Sequence, residues 1–103
     1  MSLEYARART EALTKALDAH LQALLAYEAA LDALEDAKTR AILEGLEGRN
    51  ETERKARLAQ LVAEEEKHVR KARAALRVAE TQLKKAKALE RLALETLRLQ
   101  RAA

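Results

Sequence analysis

The chain has 103 residues, a net charge of +3, 36% charged residues and neither cysteine nor proline. That bounds it to one domain without disulfides or thiolate chemistry, and its 24 alanines and 19 leucines have the helix-former profile of long helical hairpins. Two tyrosines, Tyr5 and Tyr27, are the only aromatic residues, so a core built on large rings is excluded. No stretch is long and apolar enough for a membrane span, and the N-terminus lacks the apolar segment of a signal peptide. The expected setting is cytoplasmic.

The predicted elements are helix 1 over about 3–45, a turn over about 45–50, and helix 2 over about 51–101, all within a single domain spanning 1–103. In helix 1, Leu3, Thr10, Leu17, Leu24, Leu31 and Lys38 form one heptad row, and Ala6, Leu13, His20, Tyr27, Leu34 and Ala41 form the next. A second seam is also present. Ala12, Ala16, Ala19, Ala23, Ala26, Ala30, Ala33 and Ala37 alternate spacings of four and three, a stripe about 110° around the helix from the leucine seam. Alanine there either supplies helix propensity on an exposed face or admits a closely packed neighbouring helix. Leucines outside the main seam also need cover, among them Leu21, Leu25, Leu43, Leu92 and Leu99. The second reading is favoured, and these alanines are the expected oligomer interface.

The turn runs Glu44-Gly45-Leu46-Glu47-Gly48-Arg49-Asn50-Glu51-Thr52-Glu53. Gly45 suits the left-handed position past a helix end, and Asn50 is the expected cap of helix 2, with Glu53 reaching back to the cap in a variant of the capping box. In helix 2 the rows Val62, Val69, Leu76, Leu83, Glu90, Leu97 and Leu58, Glu65, Ala72, Ala79, Ala86, Ala93 complete a coiled-coil seam. Folding the two seams antiparallel about Gly48 makes facing residues sum to 96, setting Leu17 by Ala79, Leu13 by Leu83, Tyr27 by Val69 and Leu34 by Val62. The expected fold is all-α: a long antiparallel two-helix coiled-coil hairpin that dimerises into a four-helix bundle.

Charge divides between the halves. Residues 1–49 carry six basic and nine acidic side chains, and residues 50–103 carry fourteen and eight. Glu4, Glu11, Asp18 and Asp32 share one row of helix 1, while Arg70, Arg77, Lys84, Arg91 and Arg98 share one row of helix 2. Pairing of these rails, within a hairpin or between hairpins, would serve registry more than stability. The alternative use of the basic rail, through Arg70, Arg77, Lys84 and Arg91, is contact with nucleic-acid phosphates. No aromatic residue interleaves with those charges to stack on bases.

Chemistry-bearing groups are few. Glu64 and His68 have an i, i+4 spacing, and Glu65-x-x-His68 resembles half of a bundle-type carboxylate metal site; its complement on helix 1 would have only Glu28. His20 reads as a polar seam residue. There is no phosphate-cradling glycine loop and no nucleophile elbow. No catalytic residue, metal ligand or cofactor is assigned, and the chain is read as a non-enzyme.

The segment Gly48-Arg49-Asn50-Glu51-Thr52-Glu53-Arg54-Lys55-Ala56-Arg57-Leu58 resembles the Gly-(Lys/Arg)-Asn-x-x-Glu-Arg-x-Ala-x-Leu turn of small coiled-coil hairpin proteins encoded by bacteriophages and prophages. The likeness covers about 15 residues closely, counted from Glu44, and the helix–turn–helix layout more generally. It implies a viral accessory or assembly setting and no particular activity. From the sequence, the chain is thus expected to be a self-associating structural or adaptor protein, with a homodimer favoured, a protein partner allowed and no membrane partner.

Overall fold

The computed structural model describes residues 2–102. Three helices follow in chain order: α1 (Leu3–Glu44), α2 (Glu51–Leu61) and α3 (Ala63–Ala102), and the described residues contain no strand. Two compact units are formed, one from residues 1–24 with 75–103 and the other from residues 25–74.

The unit of residues 25–74 contains the turn. α1 stops at Glu44, and Gly45, at φ 91°, donates its N–H to the Ile42 carbonyl at 3.1 Å, tightening the last turn. Asn50 caps α2 in an extended conformation, its Oδ1 accepting the Glu53 N–H at 2.9 Å. Glu53 does reach back, but to the residue before the cap: its Oε2 accepts the Arg49 N–H at 2.7 Å. The reciprocal pairing expected of a capping box is therefore shifted by one residue. Gly48, at φ 152°, makes room for this arrangement, since a Cβ there would lie 2.9 Å from the Arg54 backbone nitrogen and 3.0 Å from Glu53 Cβ.

Helix 2 of the sequence reading is interrupted at one residue. Val62 has φ −108° and ψ 15°, in the bridge region, yet it donates to the Leu58 carbonyl at 3.1 Å and accepts from Glu66 N–H at 2.9 Å. The ladder thus continues across the break at little cost. Neither glycine nor proline marks the position, so nothing in the local sequence announced it. Val62 itself is 2% exposed and forms a cluster with Leu34 and Val69, against which Tyr27, Ala30, Leu31, Ala37 and Leu58 pack. Burying each of the three central side chains contributes roughly 1.5–3 kcal/mol.

In the unit of residues 1–24 and 75–103, α1 packs on α3 through Ala6, Leu76, Ala79, Leu83 and Ala93, all buried. The α3 row was legible: every buried residue of α3 in this unit lies in the expected seam. The α1 row differs. Leu17, expected against buried Ala79, is 46% exposed, whereas Arg9, Ala16 and Ala23 are half-buried. α1 is rotated so that the row of Ala16 and Ala23, with the row of Ala6, Leu13 and His20, meets α3. Leu76 and Leu83 of α3 are thus buried against a face of α1 that carries Ala16 and Ala23, large against small.

Candidate functional site

Five of the eight alanines of the stripe are taken up by helix pairing within the chain. Ala30 and Ala37 pack on the Val62–Val69 cluster, and Ala12, Ala16 and Ala23 are half-buried. Ala19, Ala26 and Ala33 remain exposed. The stripe is therefore not one uniform second face: alternate members border the hairpin seam, and the rest form a narrow outer row of small side chains.

Large apolar side chains stay uncovered as well. Leu3, Tyr5, Leu17, Leu21, Val78, Leu92, Leu94 and Leu99 in one unit, and Leu25, Ile42, Leu43 and Leu61 in the other, are 44–81% exposed. Leu46 and Leu89, two further leucines outside the main seam, are half-buried instead. Exposure on this scale exceeds the scattered apolar residues normal on a surface.

Sequence reasoning missed a groove in the unit of residues 1–24 and 75–103. Leu3, Ala6, Thr10, Leu94 and Leu97 line about 330 Å³ there, with Arg7 and Glu11 on the α1 lip. Thr10 adds little polarity, because its hydroxyl is bonded to the Ala6 carbonyl at 3.2 Å. The signal was present in the sequence: Leu94 falls outside the α3 seam, and Leu3 belongs to the row that α1 turns away from α3. Deeper on α1, Arg9 lies over the Tyr5 ring at 5.3 Å, and its Nε is buried without a hydrogen-bond partner.

The charged rails are both free of each other inside the chain. Arg70, Arg77, Lys84, Arg91 and Arg98 are exposed, as are Glu4, Glu11, Asp18 and Asp32. Among the described residues, ion pairs within 4 Å join only Lys38 to Glu35 and Lys55 to Glu51, each along a single helix. Successive members of a rail are about 10.5 Å apart along the helix. Arg91 and Arg98 flank Leu94 at i−3 and i+4, so the α3 lip of the apolar groove is cationic.

Glu64 and His68 are exposed and Glu65 is half-buried; among the described residues no cluster of three or more acidic or histidine side chains could hold a metal ion. His20 is half-buried in the α1 row that meets α3. No helix among the described residues is long and apolar enough to cross a membrane.

The chain is thus an all-α protein of long paired helices whose notable surfaces are apolar faces and charged rails. No known protein family matches it, and comparison with curated proteins and with solved structures found no match.

Proposed function

We propose that the chain is a non-enzymatic, self-associating coiled-coil protein that serves as a structural or adaptor module, its elementary assembly a homodimeric four-helix bundle. One observation carries this reading: among the described residues twelve large apolar side chains are 44–81% exposed, while the buried core consists of nine residues, four of them alanines. Packing a second helix pair over such faces is the simplest way to remove them from water, and a two-fold dimer closes the assembly. The exposed row Ala19, Ala26 and Ala33 suits close approach of a neighbouring helix. The likeness of the turn to phage-encoded hairpins supports an accessory or assembly role in a viral setting, inside the cytoplasm of a host. Sedimentation equilibrium tests the reading. A dimer at tens of micromolar is expected, and a chain that stays monomeric over that range would overturn it.

A second reading is favoured by a separate observation. Arg70, Arg77, Lys84 and Arg91 are exposed along one row, and among the described residues no acidic group pairs with them within 4 Å. Such a row suits salt-dependent contact with nucleic-acid phosphates. Fluorescence anisotropy with labelled duplex and single-stranded DNA at low salt tests it. Binding that is lost with salt and on R70E/R77E/K84E supports the reading, and no binding at low salt removes it.

A further inference from the structure

We infer that the groove lined by Leu3, Thr10, Leu94 and Leu97 is the docking face for the same groove of a second copy, the two copies lying parallel with their two-fold axis along the helices. This rests on the self-association proposed above and specifies its face and direction. Charge complementarity selects this face and this direction. On the α1 side of the groove runs the row Glu4, Glu11 and Asp18, with Arg7 the one cation on that lip, and on the α3 side the row Arg77, Lys84, Arg91 and Arg98.

Both rows are exposed, and no ion pair joins them within the chain. Running α1 and α3 antiparallel with buried Ala6 level with buried Ala93, beside the groove that Ala6, Leu94 and Leu97 line together, sets their levels. Glu11 falls level with the interval between Lys84 and Arg91, Asp18 with that between Arg77 and Lys84, and Glu4 with that between Arg91 and Arg98. Each carboxylate is therefore level with a gap between two cations, across the groove and out of contact. Between the rows lie exposed Leu3, Leu17, Leu21 and Leu94, the apolar strip that needs covering.

Viewed down the helices, the face has acid on one side and base on the other. A second copy laid over it with the two-fold axis parallel to the helices brings its cations across from these carboxylates, and every such contact occurs twice. A two-fold axis across the helices sets acid on acid and base on base. Only the parallel arrangement is complementary, and like charges opposed across an interface disfavour the other.

The test uses two full-length variants, E11K/D18K and K84E/R91E, with circular dichroism confirming that each remains helical. Alone, each is expected to dimerise about tenfold more weakly than the parent chain or worse, the scale of several exposed ion pairs turned repulsive. Mixed in equal amounts they are expected to form a heterodimer, read by native mass spectrometry, at least tenfold over either homodimer. Pairing confined to one chain predicts no such preference. A parent chain that is dimeric while the mixture shows no heterodimer preference overturns this face. A parent chain that is monomeric overturns the self-association on which it rests.

Discussion

Arg73 lies over the Tyr27 ring, 5.8 Å from its centroid, and its Nη2 donates to the Tyr27 hydroxyl at 3.5 Å. The contact ties α1 to α3 across 46 positions of sequence. Its two ends differ in weight. Arg73 is exposed, so Arg73→Ala should cost less than about 1 kcal/mol, the ordinary value of an exposed cation–π contact. Tyr27 also packs on the Leu34–Val62–Val69 cluster, and Tyr27→Ala should cost about 3 kcal/mol or more. Urea unfolding of the two variants and the double variant gives the coupling directly; equal costs for the single variants would show that the ring does not anchor the cluster.

Gly48 and Gly45 both have positive φ, but they should tolerate alanine differently. At Gly45 a Cβ meets nothing within 4 Å, leaving only the conformational penalty of about 1 kcal/mol. At Gly48 the Cβ would press on the Arg54 backbone nitrogen at 2.9 Å, beside the two hydrogen bonds that start α2. Gly48→Ala should therefore lower stability by about 2 kcal/mol or more, and the ordering of the two thermal midpoints is the measurement.

The cap itself is separable from the glycine. Asn50→Ala removes the acceptor of the Glu53 N–H and should cost about 1 kcal/mol; Asn50→Asp keeps the acceptor and should be close to neutral. Hydrogen exchange at the Glu53 amide reports the loss locally, with faster exchange expected in the alanine variant alone. Unchanged exchange in that variant would mean that another group holds the amide.

How much of this was legible in sequence depends on contrast between neighbouring residues. The turn was readable because Gly45, Gly48, Asn50 and Glu53 each do something few residues can do, and only the recipient of the Glu53 carboxylate differed. The α3 seam was readable because Leu76 and Leu83 stand among charges. On α1, Leu17 adjoins Ala16, and Leu24 and Leu31 adjoin Ala23 and Ala30, so size pointed to the leucines. Against the bulky α3 row, however, an alanine row packs closer, and Leu17 is left outside. The groove at Leu3 and Leu94 follows from that rotation and was hidden with it. The break at Val62 has no local signature because the hydrogen-bond ladder passes through it.

Two valines on α3 give the sharpest check on which row faces inward. Val69 is 4% exposed, in the cluster with Leu34 and Val62, and Val78 is 57% exposed, nine residues further on. The residue type and helix are the same, so propensity changes cancel in the comparison and burial is what remains. Val69→Ala removes two buried methyl groups and should cost about 2 kcal/mol. Val78→Ala should fall within about 0.5 kcal/mol of the parent chain. The comparison belongs at low protein concentration, where folding is not linked to association, because a second copy covering Val78 would add to its apparent cost as concentration rises. A Val78→Ala effect that equals that of Val69→Ala in dilute solution would mean that the inward row of α3 is misplaced.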